Sequence, residues 1–372
     1  MALGCEMSEI MGYSEPVLSI VIPARNERRN IGRCLSSILN GGYSELEVVV
    51  VDDCSTDGTA DEVRASYGAH PAVRLIESKG LCTGWTGKNW AVHRGAMEAR
   101  GKWLLFLDAD TELYPNALND SLLLASTNGI DLLSYSPEQE LRGFWERAVQ
   151  PVVFDILDGC YAFDSVNDPA SAEAAANGQF ILIRREAYLE AGGHEAVRGE
   201  IVEDVALARN VKAAGSSIFF APGKGMVKCR MYQSLGEIFE GWSKNLYELI
   251  GGGWSDLMRV VFSLGSRSLF PAVIFAASLV FMARYHHREP LGALAVLYAL
   301  LAAVNLVRAV LSPGGRSNSS PLSGFFLYSL GSLVVISLLL TSTAKSALRI
   351  GHTWKGRRYS AGEAGNGGRL LQ

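Results

Sequence analysis

Short apolar runs alternate with amphipathic stretches from residue 17 to residue 135. The runs Val17–Pro23 (VLSIVIP), Leu46–Asp53 (LEVVVVDD), Val73–Ile76 and Trp103–Leu107 (WLLFL) have the length and apolar character of buried strands. Between them, Glu27–Leu39 sets Ile31, Leu35, Ile38 and Leu39 on one helical face, and Thr59–Ser66 and Lys88–Ala99 predict two more helices. Strands apolar on both faces and separated by helices indicate an α/β fold, with a mostly parallel sheet covered by helices on both sides. Residues 137–176 carry no clean period and read as an insertion. A further strand is expected at Gln179–Ile183, then a helix from Arg185, then a helix from Glu203 to a glycine cap at Gly215.

Beyond Tyr232 the pattern changes. Leu235, Ile238, Phe239, Trp242, Leu246, Leu249 and Ile250 form one stripe opposite Glu237, Glu240, Lys244 and Glu248, which predicts an amphipathic helix within 233–258. Its place ahead of long apolar runs favours a helix lying on a membrane surface. Residues 291–311 and 324–344 are each long enough to span a bilayer, with Arg308 placed to snorkel. Residues 260–283 are interrupted by Arg267 and Pro271 and are expected to be re-entrant or interfacial. Arg284 and Arg288 precede the first span, and Lys345, Arg349, Lys355, Arg357 and Arg358 follow the second, against Arg316 in the loop between. The positive-inside rule then predicts a two-span hairpin with the first domain and the tail both cytosolic, three spans being the alternative. The expected division is a tail over 1–16, an α/β domain over 17–232, an interfacial helix over 233–258, transmembrane or re-entrant helices over 259–345 and a basic tail over 346–372.

Composition narrows the partners. The formal charge of -4 argues against a nucleic-acid binder, and 48% hydrophobic residues, high for a soluble chain, is accounted for by the C-terminal runs. The first sixteen residues have acids, no basic start and no apolar core, so a signal peptide is not expected and the first domain is expected in the cytosol. Six cysteines are scattered without a C-x-x-C pair, which predicts reduced, packed thiols rather than a zinc site or disulfides.

The candidate chemistry lies at strand ends. PARNE (Pro23–Glu27) follows the first predicted strand, DDCSTDGT (Asp52–Thr59) ends the second, and DAD (Asp108–Asp110) follows the buried run Trp103–Leu107. A further acidic pair, Glu203–Asp204, opens a helix. In open α/β sheets ligands bind at the carboxyl ends of strands. Alternation puts Asp108 and Asp110 on one side, where they repel unless a cation or hydrogen-bond donors stand between them. Glu112 reads as a solvated acid outside the site.

Taken in order, VIPARNE, VVDDCSTDGT, LDADTEL and EDVALARNVKAAG resemble the inverting glycosyltransferase family 2 with the GT-A fold, over roughly residues 17 to 235. GWTGKNWA, GQFILIRREAY, AGGHEAVRGEIVEDVALAR and GWSKNLY resemble more closely the membrane-bound members that glycosylate hopanoid, carotenoid or other isoprenoid lipids. Ceramide glucosyltransferases are more distant but share a basic tail like WKGRRY. The resemblance implies a nucleotide-diphospho-sugar donor, a UDP-sugar first, a membrane lipid acceptor and a Mg²⁺ or Mn²⁺ cofactor. It places Pro23, Ala24 and Glu27 along the base and ribose, Asp53 on the base, Lys88 facing the donor, Asp108 on ribose or metal water, Asp110 on the metal and Asp204 as the catalytic base. Glu203, His194, Gln179, Trp242 and Lys244 are its candidates for the acceptor side. A divalent Lewis acid suits a diphosphate leaving group, and a base suits a hydroxyl acceptor; an ionised carboxylate acceptor needs that base far less.

Other motifs fail or change the picture. CTGWTGKN is not a P-loop, because Cys82 stands where the first glycine belongs and Asn89 where Ser or Thr belongs. His194, in GGHE, reads either as a packing histidine or as one bordering the acceptor. Processive relatives carry Q-x-x-R-W where this chain has EGWSK, which points to transfer of a single sugar. A polyprenyl-phosphate acceptor is the alternative; its basic cluster would have to come from Arg184, Arg185, Arg198 and Arg230. A membrane-anchored nucleotide-sugar scaffold without activity is the reading from another class.

Overall fold

The computed structural model describes residues 17–285, 296, 321–348 and 352–359. The expected span 291–311, the tail 1–16 and most of the basic tail lie outside them. Within the basic tail, His352–Trp354 and Arg357–Tyr359 are short strands.

The chain divides into two compact units, one of residues 1–140, 163–231 and 359–372, the other of 141–162 and 232–358. The first unit begins β1 (Leu18–Ala24), α1 (Ile31–Leu39), β2 (Leu46–Asp52), α2 (Thr59–Tyr67), β3 (Val73–Glu77), α3 (Gly87–Glu98), β4 (Trp103–Leu107), β5 (Thr111–Leu113), α4 (Ala117–Thr127), β6 (Leu132–Ser136) and β7 (Glu138–Gln139). Next along the chain, α5 (Phe144–Cys160) belongs to the second unit. The first resumes with α6 (Phe163–Asn167), β8 (Phe180–Arg184), α7 (Arg185–Glu190), α8 (Gly193–Ala196), α9 (Glu203–Ala213), β9 (Ile218–Pro222) and β10 (Val227–Cys229).

Seven strands form the central sheet in the order β3-β2-β1-β4-β8-β6-β9. Pairing is parallel except around β8, which runs antiparallel to β4 and β6. The α/β, mostly parallel architecture expected from the sequence is therefore present. One face of β1 and β2 (Ile20, Ile22, Val48, Val50) packs with Ile31, Leu35 and Ile38 of α1; the other (Val49, Val51) packs with Ala91 of α3. That double burial explains why both strands read as continuous apolar runs. Helix α3 comes close to the sheet at Gly95, where a Cβ would stand 2.3 Å from Val21 Cγ1. Strand β10 joins β5 and β7 in a small second sheet, where Glu112 bonds Arg33 at 2.9 Å and Lys228 at 3.2 Å. Glu112 is thus a cross-link rather than a solvated acid.

The second unit is helical: α5, α10 (Leu235–Leu249), α11 (Trp254–Leu264), a π turn (Gly265–Leu269), α12 (Phe270–Tyr285) and α13 (Pro321–Ala347). The expected insertion at 137–176 contains the 17-residue α5. Pro151 in its middle hides the helical period, yet Ala148, Val149, Val152 and Val153 are fully buried. Helix α13 lies against α5 so closely that a Cβ at Gly331 would meet the Ala148 carbonyl at 1.8 Å. The amphipathic run within 233–258 stops at Leu249, since Gly251 and Gly252 have φ of 115° and 66°.

Arg267 and Pro271 do not break the helix over 260–283. Leu264 leads into a π turn whose Phe270 N–H reaches the Gly265 carbonyl, and the missing proline N–H follows directly on that widened turn. Among the described residues, two stretches, Trp254–Ile274 and Phe326–Ala347, are long and apolar enough to cross a bilayer. Large apolar side chains stand outward on both, among them Trp254, Phe262, Leu333 and Leu340.

Candidate active site

The loops after β1 and β2 are stitched together. The Asp53 N–H donates to the Ala24 carbonyl at 2.8 Å, Asn26 N–H to Ser55 Oγ at 3.0 Å, Glu27 N–H to Thr59 Oγ1 at 2.8 Å and Arg28 N–H to Asp57 Oδ2 at 3.0 Å. The Arg25 guanidinium donates to the carbonyls of Asp53 and Cys54. Asn26 and Cys54 both take positive φ, of 54° and 56°, to make these turns. Ala24, Glu27 and Asp53 are all buried. PARNE and DDCSTDGT are therefore one preformed double loop at the carboxyl ends of β1 and β2.

The DAD motif leaves β4 as a turn closed by the Thr111 N–H to the Asp108 carbonyl at 3.1 Å. Ala109 is buried between the half-buried aspartates. The two carboxylates make different contacts. Asp108 meets Lys88 Nζ at 3.0 Å, whereas Asp110 neighbours the buried Cys229 thiol. Burial pushes the Cys34 and Cys229 thiols well up, and the charges of Asp110, Asp108 and Glu27 push them further, so all three acids share this neighbourhood. Gln179 Nε2 donates to Cys229 Sγ at 2.8 Å. The scattered cysteines thus include two protonated thiols beside the DAD turn, which their spacing did not signal.

Lys88 joins the two acidic motifs. Its ammonium, one residue into α3, also meets Glu203 Oε1 at 3.0 Å. Burial works against the charge, but Asp108, Glu203 and Asp204 hold the ammonium's pKa well above its ordinary value. It joins Asp108 to Glu203 rather than standing between the two aspartates of DAD.

Asp204 stands at the start of α9. Its Oδ2 accepts the Gly178 N–H at 2.9 Å and its Oδ1 the Val205 N–H at 2.8 Å. Burial, and next the charge of Glu203, push its carboxyl up to about 6, against the opposing pull of Lys88 and the two N–H bonds. Gly178 was not foreseen as a site residue. A Cβ there would stand 2.9 Å from Lys88 Nζ and 3.3 Å from Asp204 Oδ2.

His194 is buried, with Nδ1 3.0 Å from the Tyr188 hydroxyl and its ring edge-on to Phe106. Burial pushes its pKa down to about 3, which keeps the imidazole neutral. Pro23, Lys88, Asp108, Gly178, His194, Glu203 and Asp204 line one cleft; Ala24, Glu27, Asp53, Asp110 and Gln179 do not contribute to its lining. Trp242 is a buried member of the helical unit, its indole N–H bonded to Gln150 Oε1 at 3.0 Å and its ring beside Phe154 and Tyr232. Lys244 is half-buried on the same helix, α10.

The cleft thus brings Asp108, at a strand end, together with Glu203 and Asp204 at a helix start, and the sequence profile for glycosyl transferase family 2 matches residues 19–190. The chain carries a glycosyl transferase family 2 domain. It is a glycosyltransferase. It is 29% identical over 261 residues, 68% of this chain and 67% of the relative, to 4,4'-diaponeurosporenoate glycosyltransferase of Staphylococcus aureus (strain USA300). Among solved structures it is similar to a mannosyltransferase from Pyrobaculum calidifontis in complex with GDP-Man and Mn²⁺, at a TM-score of 0.49 and 19% identity over 90% of this chain and 88% of that one. It is also similar to S. aureus TarS 1–349 in complex with UDP, at a TM-score of 0.42 and 17% identity over 80% and 91%. The matched residues contain PARNE, DDCSTDGT and the DAD turn, while Glu203–Asp204 follows them.

Proposed function

We propose that this glycosyltransferase moves a single sugar, with inversion, from a nucleotide-diphospho-sugar, a UDP-sugar first, to a membrane lipid acceptor. The observation that carries the reading is Lys88: one ammonium ties Asp108, on the donor side, to Glu203, the neighbour of a carboxylate built as a base. The stitched loops around Asp53 and Glu27 provide a rigid surface for the nucleoside, with Pro23 and Ala24 at its edge. Asp204, fixed by the Gly178 and Val205 N–H groups, takes the acceptor's proton. Its raised affinity for that proton suits the task near neutral pH.

The residues fit a divalent metal of the hard, oxygen-seeking kind. Asp110 and Asp108, two carboxylates on the one turn that leaves β4, would hold it through hard oxygen donors. Mg²⁺ or Mn²⁺ bound there supplies Lewis-acid neutralisation of the departing diphosphate.

The apolar helices support attachment to a bilayer, with the glycosyltransferase domain on the cytosolic side where nucleotide sugars are available. The outward Trp254, Phe262, Leu333 and Leu340 are side chains that lipid would cover. The test incubates membranes containing the full chain with a panel of labelled nucleotide sugars, with and without Mg²⁺ or Mn²⁺. Metal-dependent label in the lipid fraction, lost in Asp110→Ala, is expected; no transfer from any donor overturns the reading.

A further inference from the structure

We propose that Lys88 is a built-in competitor for the metal-binding turn: its ammonium holds Asp108 until a nucleoside diphosphate draws it away, so that divalent ion and donor bind together and leave together. This inference rests on the sugar-transfer reading above and concerns how the donor side of that site is loaded.

The contacts of Asp108 carry it. Lys88 Nζ lies 3.0 Å from Asp108 Oδ1 and 3.1 Å from Oδ2, so one ammonium covers both oxygens of the carboxylate. These are the oxygens that Asp108 has to offer a hard divalent ion. An ammonium and a divalent ion on the same carboxylate stand within a few ångströms of each other, and their repulsion makes each an obstacle to the other. Asp110 neighbours the Cys229 thiol instead. The turn therefore presents one carboxylate to an ion that arrives while Lys88 is in place, and two once Lys88 has moved.

Lys88 is built to move. Its ammonium sits on a flexible four-carbon stem, and a third of the side chain is exposed. Glu203 Oε1 meets Nζ at 3.0 Å, so a tether remains when Asp108 is released. Diphosphate oxygens are an alternative partner for the ammonium, which binds phosphate as a point charge.

The charge balance of the cleft favours joint entry. Asp108, Glu203 and Asp204 line it, and among the described residues that do so Lys88 is the one cation. A divalent ion alone brings positive charge against the ammonium, and a diphosphate alone brings negative charge against the acids. Ion and diphosphate together bring charges that offset each other, and each gives Lys88 and Asp108 the new partner that their separation requires. When the nucleoside diphosphate departs, Lys88 returns to Asp108 and weakens the hold of the turn on the ion. The coupling is reciprocal, so the ion tightens nucleotide binding as much as the nucleotide tightens ion binding.

The experiment titrates Mn²⁺ into the purified full chain in detergent micelles and measures bound ion by electron paramagnetic resonance, without nucleotide and with UDP or, in parallel, GDP. Without nucleotide, Lys88→Met is expected to bind Mn²⁺ about tenfold more tightly than the unaltered protein. In an Asp108→Asn background the same change should shift that affinity by less than about twofold, because the shared carboxylate is gone. Lys88→Gln is expected to shift affinity in the same direction and replaces Lys88→Met if that variant does not fold. Equal nucleotide-free affinity with and without the lysine overturns the competition while leaving the sugar-transfer reading intact. So does a gain that persists undiminished in Asp108→Asn, which would be the general effect of removing a positive charge. Mn²⁺ held by none of these proteins even with UDP or GDP overturns the metal assignment of the transfer reading, and the competition with it.

Discussion

The backbone N–H of Gly178 donates to Asp204 Oδ2 at 2.9 Å, and the same glycine leaves room for Lys88, whose Nζ would be only 2.9 Å from a Cβ there. One residue thus fixes the Asp204 carboxylate, the proposed base, and makes space for the ammonium that joins Asp108 to Glu203. In Gly178→Ala the far end of the flexible Lys88 side chain is what has to give, so the fold survives while the charge bridge moves. Misplacement of this order costs about 100-fold in catalysis. Steady-state kinetics should show kcat reduced to that extent with Tm changed by no more than about 2 °C; a variant that keeps full kcat removes Gly178 from the site.

Asp204 links activity and stability to pH in opposite directions. Its carboxyl is pushed up to about 6 in the folded protein, against roughly 3.9 for an unperturbed aspartate. The folded state therefore holds this proton more tightly than the unfolded state. Its contribution to stability is fully present below about pH 4 and is lost as pH rises through about 6. The proposed base acts in its deprotonated form, so kcat/KM should climb through pH 6 to a plateau. Asp204→Asn should abolish that limb and raise stability at pH 8 by about 1–2 kcal/mol, with a smaller gain at pH 4. Denaturant melts at the two pH values check it, and equal gains at both would refute the coupling.

Lys88 is worth more to the fold than an exposed lysine. Lys88→Met takes away the ammonium shared by Asp108 and Glu203 and should cost about 2–4 kcal/mol. Adding Glu203→Gln removes one of the carboxylates left behind, so the double variant should recover about 1–2 kcal/mol relative to the sum of the single changes. A double-mutant cycle of urea melts measures this coupling. Strict additivity would mean that the two side chains do not act together.

Asn89, next to Lys88, holds the loop that leads into Glu203–Asp204. Its fully buried Nδ2 is within hydrogen-bond reach of the carbonyls of Val197, Arg198 and Glu200, at 2.9, 3.3 and 3.1 Å, and the Thr86 N–H adds a bond to Arg198. Asn89→Ala should speed amide hydrogen exchange across 197–202 and lower kcat about tenfold with donor KM little changed. Unaltered exchange in that segment would end the positioning role.

How far these features could be read from sequence depends on how local their causes are. The β1 to β4 half was legible because double-sided burial writes itself as uninterrupted apolar runs, as in Val48 to Val51. The acids at strand ends were legible because each is contiguous with such a run. Helix α5 was not, because Pro151 interrupts its period and its apolar positions make sense only against α13. The pattern of the residues alone did not separate Asp108 from Asp110, which only the resemblance did: alternation assumes that the strand continues, but the chain turns at Asp108. Gly178, Asn89 and the Cys34 and Cys229 neighbourhood depend on segments tens of residues apart, for which sequence spacing holds no signal.

Away from the cleft, Glu47 near the start of β2 anchors the other end of the sheet and should set its acid limit. The carboxylate is buried yet accepts the Ser19 hydroxyl at 2.7 Å, the Arg100 N–H at 2.7 Å and the guanidinium groups of Arg74 and Arg100 at 3.0 Å each. Burial raises its pKa, but the bonds from Ser19 and Arg100 outweigh that and hold it below the ordinary value. A carboxyl lowered in the folded state gives stability above its unfolded pKa, near 4.3, and loses it as pH falls through the lower folded value. Both arginines are partly exposed, so water screens part of the attraction. Glu47→Gln should cost about 1–3 kcal/mol at pH 7, through donors left with a poorer acceptor, and almost nothing at pH 3. Thermal melts of both proteins across that range should converge at low pH; a cost that is the same at pH 3 as at pH 7 would show that Glu47 acts through its packing and not its charge.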